Sequence, residues 1–364
     1  MMKIALDGFE LGRDARGVGR VVDNLVARLP DILTESRIIV FTKEATGRYA
    51  HPRVEEHVLA GREGYLRWQN GPLRRALKQA KPDIFIASNY ILPLFCPWKT
   101  ILFEHDISVV SHPEWYPRRY SITRKVLVGR SLKGADLVIV SSEFVKREIL
   151  SFFGIDGEKI RVIGYGVEER FRRAPDQAIQ RWREKKGLAG KKVIGFLGSI
   201  FRRRHVPELI RAVDTLRDEY PGSVLHLVGK DFGVLRAREA GAAGIPDWVL
   251  WEECLPEEEL SLYYSSVDAF AYLSEYEGFG FPPLEALACG TPSVLLGGSS
   301  LGEVFSGLAI LIDKPDPGQI AAALKTALDD EATRTGLEKE YGRRREQFSW
   351  KRTAQDLAAS IRSL

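Results

Sequence analysis

The sequence has 364 residues, with 53 Lys and Arg against 49 Asp and Glu, 45% hydrophobic residues and 28% charged residues. At about 150 residues per domain this predicts two globular domains, and it excludes a disordered chain, a collagen-like repeat and a disulfide-stapled mini-protein. Three widely spaced cysteines favour a reducing compartment, and the start of the chain lacks a signal-peptide hydrophobic region, so we expect a cytoplasmic protein.

Short apolar runs alternate with amphipathic segments along the whole chain. Before Gly164 the runs that predict buried strands are MKIALD, RIIVFT, PDIFIAS, KTILFEH and DLVIVSS. After Gly164 the pattern restarts with KVIGFLGS, VLHLVG, VLWEEC, DAFAYLS, PSVLLG and AILID. Helical patterns such as GRVVDNLVARL and SITRKVLVGRSLKGA separate the strands, so the alternation predicts α/β domains whose parallel sheets carry helices on both faces.

The two series predict two doubly wound, Rossmann-like domains facing a central cleft. We place the first domain at residues 1–168 and the second at residues 169–347. Residues 348–364 are expected to form a C-terminal helix that crosses back to the first domain. Ligands of open parallel sheets bind at the carboxyl ends of the strands, where the strand order reverses. We therefore expect the binding site in the loops that follow the strands.

The first half of the chain is mildly basic. Residues 1–180 hold 29 Lys and Arg against 22 Asp and Glu. The segment 115–133 mixes aromatic residues with cations, which favours contact with an anionic membrane surface. The alternatives are a solvated basic face and a plain amphipathic surface helix.

A glycine-bearing loop enters the first helix. Gly17 and Gly19 in DARGVGRVVDNL stand where a phosphate could approach backbone amides. The third glycine of the dinucleotide fingerprint is absent, which argues against a nicotinamide dehydrogenase. A plain loop is the alternative.

His105 and Asp106 follow the strand KTILFE, where residues of a cleft are expected. The alternative is a structural histidine capped by Asp106. Arg203 and Arg204 follow the strand KVIGFLGS, and planar guanidinium groups there suggest a clamp on a diphosphate. A solvated run of charge is the alternative for these arginines.

The chain has no D-x-D motif, and its histidines show no spacing that suggests a metal site. We therefore expect no metal cofactor. Cationic side chains and helix N-termini would then have to stabilise a departing diphosphate.

The densest signal is LSEYEGFGFPPLEALACGTPSV, residues 273–294. It predicts a loop from Glu275 to Pro283 and a helix beginning near Pro283, whose first N–H groups would form an anion site. Glycines on either side of Phe279 would let the backbone approach a ligand. Glu277 in the loop and Glu285 in the first turn could accept hydrogen bonds from sugar or ribose hydroxyls. The alternative is an ordinary strand–loop–helix connection.

This last string resembles the E-x7-E motif of the retaining glycosyltransferases of family 4, which have the GT-B fold. The resemblance covers nearly the whole chain. DARGVGRVVDNL is similar to the Gly-rich loop of the family, and ILFEHDIS is similar to the strand end that carries its active-site histidine. GFLGSIFRRRHVPELIRAV resembles its phosphate-binding segment, and FSWKRTAQDLA resembles its closing helix.

The resemblance implies a role for each candidate residue. It assigns the catalytic site to His105 and Glu277, with His105 contacting the transferred sugar. The implied nucleotide contacts are Glu285 and Glu303. The implied contacts of the donor diphosphate are Gly17, Gly19, Arg203, Arg204, Gly278, Phe279 and Gly280. Arg204 stands where the family usually has Lys, and Ser199 stands where some relatives have Arg.

The resemblance also implies the reaction. It is a metal-independent, retaining transfer from a nucleotide sugar to a growing glycan or a lipid-diphosphate-linked acceptor, with GDP-mannose favoured because the closest likeness is to bacterial mannosyltransferases. The expected location is the cytoplasm, with peripheral contact at the inner face of the membrane and no nucleic-acid partner. Two alternatives remain. One is a sugar-nucleotide epimerase, and the other is a non-catalytic sugar-nucleotide-binding protein.

Overall fold

The computed structural model describes residues 1–12, 17–61, 64–235 and 244–364, which divide into two units. Unit 1 comprises Met1–Gly166 and Gln347–Leu364, and unit 2 comprises Val167–Glu346. Among the described residues, no helix combines the length and the apolar character that crossing a bilayer requires.

Seven parallel strands form the sheet of unit 1, in the order β3-β2-β1-β4-β5-β6-β7. The strand order reverses between β1 and β4. The strands are β1 (Met2–Gly8), β2 (Ser36–Thr42), β3 (Val54–Val58), β4 (Ile84–Ala87), β5 (Lys99–Glu104), β6 (Leu137–Val140) and β7 (Ile160–Val162).

Helices connect these strands because each carries an apolar face that the sheet buries. The last of these helices is capped at both ends: Ser142 accepts a hydrogen bond from the Val145 amide, and Gly154 ends the helix at φ 58°. The helices are α1 (Val18–Ile32), α2 (Tyr65–Trp68), α3 (Arg74–Ala80), α4 (Ser108–Ser111), α5 (Arg118–Gly134) and α6 (Glu143–Phe153).

Six parallel strands form the sheet of unit 2, in the order β10-β9-β8-β11-β12-β13. Here the strand order reverses between β8 and β11. The strands are β8 (Val193–Leu197), β9 (Val224–Val228), β10 (Val249–Glu252), β11 (Ala269–Tyr272), β12 (Ser293–Leu296) and β13 (Ile310–Ile312).

Three of the helices described in unit 2 begin at a side-chain cap, which Ser299, Asp316 and Asp330 provide. Asp316, for example, accepts hydrogen bonds from the amides of Gly318 and Gln319. These helices are α7 (Asp176–Lys185), α8 (Val206–Leu216), α9 (Leu260–Ser266), α10 (Phe281–Ala288), α11 (Ser300–Val304), α12 (Pro317–Asp329) and α13 (Glu331–Arg344).

The last helix, α14 (Trp350–Arg362), belongs to unit 1 and packs against α1. Ser349 caps it by accepting a hydrogen bond from the Arg352 amide. Gly166 lies against its start, where an added Cβ would come within 2.2 Å of the Trp350 nitrogen. The chain therefore needs glycine where it leaves unit 1.

The predicted fold class, two Rossmann-like α/β domains with parallel sheets, is confirmed. All the predicted strands are present, but the sequence analysis missed β3 and β7. Both are sheet edges: β3 reads VEEHV without a buried residue, and β7 has only three residues. An edge strand needs no continuous apolar run, because one side of it faces solvent or a loop.

Candidate functional site

The candidate residues follow strands at or next to the point where the order of each sheet reverses. In unit 2, Arg203 and Arg204 follow β8, and Glu277 follows β11. In unit 1, Tyr90 follows β4, and His105 follows the neighbouring strand β5. Both units thus place these residues where doubly wound sheets bind ligands.

Arg204, Glu277 and Tyr272 form a hydrogen-bonded network in unit 2. Glu277 Oε1 accepts hydrogen bonds from Arg204 Nη2 at 3.0 Å and from the Tyr272 hydroxyl at 2.8 Å. Arg204 Nη1 also donates to the Ser199 carbonyl at 2.8 Å. Among the described residues, Glu277 Oε2 has no hydrogen-bond partner. The network therefore fixes the carboxylate and leaves one oxygen for a ligand hydroxyl.

Arg204 keeps its charge although the network is mostly buried. The side chains of Arg204 and Glu277 are only 12% and 18% exposed. Burial works to lower the pKa of Arg204, but Tyr272 and Glu277 hold that pKa above its ordinary value. A cation in this surrounding keeps more of its attraction for an anion than one on the surface, because solvent screens it less.

Backbone contacts tie the arginine segment to the glutamate loop. The Glu275 amide donates to the Arg203 carbonyl at 2.9 Å, and His205 Nε2 lies 2.6 Å from Glu275 Oε1. Gly198 has φ 145°, and a Cβ there would lie 2.6 Å from Arg204 Nη1. The strand end must therefore be glycine for the Arg204 guanidinium to fold back over it.

Helix α10 begins at Phe281, two residues earlier than predicted. Gly280 precedes it with φ 105°, and a Cβ there would lie 2.6 Å from Leu301 Cδ2. Pro282 and Pro283 occupy the first turn and carry no N–H. Of the first three residues of this helix only Phe281 has an N–H, so the predicted anion site would depend on that amide and on amides of the preceding loop.

Glu285 lies in the second turn of α10 instead of the first, which corrects its predicted position. Its side chain is buried, and its Oε2 accepts a hydrogen bond from the Tyr264 hydroxyl at 2.7 Å. Glu303 lies in α11 and is partly buried. Ser300, which starts α11, donates to the Glu277 carbonyl at 2.6 Å and so connects this helix to the glutamate loop.

His105 is held in unit 1 through both ring nitrogens. Its Nε2 donates to the Ser88 carbonyl at 2.8 Å, and its Nδ1 lies 2.6 Å from the Tyr165 hydroxyl, which must donate to it. Burial lowers the pKa of His105, which favours this neutral form. Asp106 does not cap the histidine, because its Oδ1 accepts from the amide and hydroxyl of Ser108.

The predicted glycine loop is only partly described. Gly17 precedes α1 with φ 52°, and Gly19 is buried within α1. The preceding residues 13–16, which the loop prediction includes, lie outside the described residues. The positive φ of Gly17 explains the glycine at that position.

The sequence analysis missed the tyrosines that support these sites. Tyr165, Tyr272 and Tyr264 bond to His105, Glu277 and Glu285 respectively. All three are buried, and Tyr272 and Tyr264 lie in apolar segments that predict only core packing. The partners of Tyr165 and Tyr264 lie 60 and 21 positions away, so local sequence patterns contain no signal for them. Glu277 lies only five positions after Tyr272, but the apolar strand pattern around Tyr272 indicates burial and not this hydrogen bond.

Two family models match the chain. "Glycosyltransferase Family 4" matches residues 15–171, and "Glycosyl transferases group 1" matches residues 178–345. The boundary between the two matches falls close to the division between the two units.

Curated relatives resemble the chain at modest identity. O-antigen chain mannosyltransferase B of Escherichia coli is 28% identical over 281 residues, covering 76% of this chain and 73% of the relative. A D-inositol 3-phosphate glycosyltransferase of Corynebacterium jeikeium is 30% identical over 248 residues, covering 65% of this chain. The chain spans 59% of the length of that second relative.

Solved structures share the fold. Anabaena Alr3699/HepE, crystallised in complex with UDP-glucose, superposes with a TM-score of 0.78 over 100% of both chains. Its sequence is 19% identical, so this likeness concerns the fold alone.

Proposed function

The chain belongs to the glycosyltransferases, with a family 4 domain followed by a group 1 domain, and from this premise we propose that it transfers a sugar from a nucleotide-sugar donor to a glycan acceptor. The observation that carries the proposal is the network of Arg204, Glu277 and Tyr272 at the point where the strand order of unit 2 reverses. It offers a cation for a diphosphate and a fixed carboxylate oxygen for a sugar hydroxyl.

We assign the catalytic roles to His105 and Glu277. Glu285 and Glu303 are proposed for the nucleotide. The residues that we propose as contacts of the donor diphosphate are Gly17, Gly19, Arg203, Arg204, Gly278, Phe279 and Gly280. Glu285 already accepts a hydrogen bond from the Tyr264 hydroxyl. A carboxylate can accept several hydrogen bonds, so in this proposal Glu285 binds Tyr264 and the ribose together.

Mannose is the proposed sugar, and GDP-mannose the proposed donor. The mannosyltransferase name of the Escherichia coli relative supports this choice. A growing glycan or a lipid-diphosphate-linked acceptor is proposed, and the named inositol-phosphate glycosyltransferase supports a phosphate-bearing acceptor equally well. We propose a cytoplasmic enzyme that meets the inner membrane face through α5.

Retention and independence from metal are also proposed. Arg204 and Tyr272 both donate hydrogen bonds to Glu277. A carboxylate held in this way is better suited to positioning the sugar than to acting as a covalent nucleophile. We therefore favour displacement on the same face of the sugar, assisted by the leaving phosphate, with arginines stabilising the diphosphate.

The test is a panel of nucleotide sugars presented with and without oligosaccharide acceptors. We expect transfer from GDP-mannose, with the anomeric configuration retained in the proton NMR spectrum of the product. Arg204→Gln should abolish transfer, whereas Arg173→Gln, at an exposed position of unit 2, should not. Conversion of the donor without acceptor would support an epimerase, and binding without transfer or donor hydrolysis would support a non-catalytic binder.

A further inference from the structure

Arg124, on α5 of unit 1, is a partly buried cation without a hydrogen-bond or ion-pair partner among the described residues. Its guanidinium instead lies over two aromatic rings, with Cζ 5.5 Å from the centroid of Tyr90 and 5.9 Å from that of Tyr120. Its Nε is buried and donates to nothing in the described part of the chain. A guanidinium carries only donors, so removing it from water without an acceptor is costly.

The buried carboxyl group of Glu104 interacts electrostatically with Arg124 but does not pair with it. Glu104, at the end of β5, is fully buried, and neither of its oxygens has a partner among the described residues. Burial, together with the like charge of Asp106, raises the pKa of Glu104 well above its usual range although Arg124 opposes the shift. Neither oxygen of Glu104 bonds to Arg124, and burial disfavours the charged form of Glu104 that would balance the guanidinium.

A second buried carboxyl group, that of Asp7, already has hydrogen-bond partners of its own. Asp7, at the end of β1, accepts hydrogen bonds from the Tyr65 hydroxyl at 2.6 Å and from the Phe9 amide at 3.0 Å. Asp106 accepts from Ser108, as described above. No described carboxylate thus bonds to Arg124, and an outside anion would satisfy it.

The position of Arg124 connects it to the proposed chemistry. Tyr90, with φ 64°, follows β4, and its ring lies edge-on to His105 with the centroids 5.3 Å apart. The same ring carries the Arg124 guanidinium on its face. Arg124 is therefore separated from His105 by one aromatic side chain, at the carboxyl edge of the sheet.

We propose that Arg124 binds an anionic group of the acceptor, most favourably a phosphate, so that the acceptor of this transferase carries phosphate close to the hydroxyl that receives the sugar. Arginine suits this role because its planar fork matches phosphate oxygens bidentately. The proposal rests on the proposed function, because it specifies the substrate class of the same reaction.

The phosphate could belong to a lipid headgroup or to a soluble sugar phosphate. Both ligands present phosphate oxygens to Arg124, so binding to the guanidinium does not distinguish a lipid headgroup from a soluble sugar phosphate. The exposed apolar residues Ile122 and Val126 on α5 make a lipid accessible to the same helix. The experiment must therefore contain one arm for each source.

The test measures binding of inorganic phosphate to the full chain by calorimetry, with GDP and UDP at saturation to occupy the donor site. We expect saturable binding by the parent and a loss of about tenfold or more in Arg124→Gln, the scale of a charge-assisted hydrogen bond. Arg124→Lys should fall between the two, because it keeps the charge and loses the fork. The matched control is Arg119→Gln, an exposed arginine of the same helix, which should bind like the parent.

Glu104→Gln separates this proposal from a latent Arg124–Glu104 ion pair. We expect the variant to bind phosphate as the parent does. If the parent shows no saturable binding and only Glu104→Gln gains it, Arg124 serves as the counter-ion of Glu104 and the proposal is overturned. Equal affinity in the parent and in Arg124→Gln would overturn it as well.

The two sources are then compared with inositol 1-phosphate in solution and with vesicles of phosphatidic acid against phosphatidylcholine. A preference for either phosphate ligand that disappears in Arg124→Gln supports the proposal and identifies the source. Nucleoside diphosphate affinity and slow donor hydrolysis are measured in parallel, and Arg119→Gln is the variant expected to match the parent in both. Loss of these donor properties in the parent would contradict the proposed function, whereas loss of phosphate binding alone contradicts only the role of Arg124.

Discussion

At the scale of single residues, Glu277 and Glu285 show how one motif acquires two environments. Glu277 is partly accessible and shares one oxygen between Arg204 and Tyr272. Glu285 is buried and bonded to Tyr264. The carboxylate in the loop can respond to a bound sugar, whereas the one in the helix is held by the core.

Replacing each glutamate with Gln should separate these roles. Glu277→Gln should lower turnover more than nucleotide affinity, because orientation of the sugar matters most as the glycosidic bond breaks. Glu285→Gln should mainly weaken donor binding. A charge-assisted hydrogen bond is worth roughly 1.5–3 kcal/mol, so each affected parameter should fall on the order of 10- to 100-fold.

The measurements are steady-state transfer and calorimetry with the free nucleoside diphosphate. Tyr264→Phe is the control for Glu285, because it removes the same internal hydrogen bond and keeps the carboxylate. If Tyr264→Phe reproduces the whole effect of Glu285→Gln, the role of Glu285 is structural. Full turnover in Glu277→Gln would also contradict the division of roles.

Asp7 should make the stability of the protein depend on pH. Burial raises the pKa of Asp7 to about 6, above the 3.8 that an aspartate has in an unfolded chain. Between these values the folded state binds the proton more strongly, so the stabilising contribution is present at low pH and is lost as pH rises towards 6 and above. Relative to Asp7→Asn, the parent should lose about 2 kcal/mol of unfolding free energy between pH 4.5 and pH 7.5.

Urea unfolding of the parent and of Asp7→Asn at the two pH values measures this difference. Comparing the two proteins cancels the titrations that they share. A constant difference in unfolding free energy would show that Asp7 titrates as it does in the unfolded chain.

At the scale of elements, α14 completes the surroundings of His105. Trp350 stacks on Tyr165, with the ring centroids 5.9 Å apart, and Tyr165 donates to His105. The Thr353 hydroxyl donates to the Gly164 carbonyl at 2.8 Å. The last segment of the chain therefore supports a candidate catalytic residue that lies far from it in sequence.

Gly166→Ala should disturb this arrangement strongly. The added Cβ would meet the backbone of Ser349 and Trp350, which cannot move without displacing α14. Overpacking of this kind typically costs about 1–3 kcal/mol. Thermal unfolding should show the loss, whereas Gly134→Ala, whose Cβ meets nothing within 4 Å, should leave stability unchanged or slightly higher. Equal melting temperatures for the two variants would contradict this account.

Helix α5 has the composition of a membrane-contacting helix. It contains six cations and no acidic residue, and Ile122 and Val126 are 56% and 65% exposed. We expect modest binding to anionic vesicles that weakens with salt, since the Debye length falls to about 3 Å at 1 M. Flotation should detect the protein with the vesicles, and Ile122→Ser combined with Val126→Ser should reduce its share. Absence of the parent from the floated fraction at low salt would contradict this expectation.

At the scale of the whole molecule, each unit carries its own polar cluster at or next to the reversal of strand order. In the proposed mechanism, unit 2 supplies Arg203 and Arg204 for a diphosphate, and unit 1 supplies His105 and Arg124. The proposed mechanism needs no metal, because cationic side chains neutralise the negative charge of the leaving diphosphate.

Transfer should therefore continue in the presence of a chelator. EDTA should leave the initial rate of product formation within experimental error of the untreated enzyme, and added Mg²⁺ or Mn²⁺ should not raise it. The control is a metal-dependent transferase in the same buffer. Loss of activity with EDTA and its recovery with Mn²⁺ would contradict the role given to the arginines.

Local patterns were sufficient to predict most of the fold. Buried parallel strands such as LVIV and AFAY are continuous apolar runs, so their presence and their α/β alternation could be read directly from the residues. The edge strands β3 and β7 could not, since burial does not dictate their composition. The start of α10 was misplaced because two prolines fit the first turn of a helix as well as a loop.

The sequence by itself determined the fold class, the E-x7-E spacing and the cations that follow β8, because these depend on neighbours along the chain. Only the tertiary structure decided that Arg204 bonds to Glu277 across 73 positions, that Tyr165 holds His105, and that no described residue forms a hydrogen bond with Arg124 Nε. The physical reason is that hydrogen bonds and desolvation depend on distance in space. A sheet brings the ends of strands together in an order that spacing along the chain does not encode.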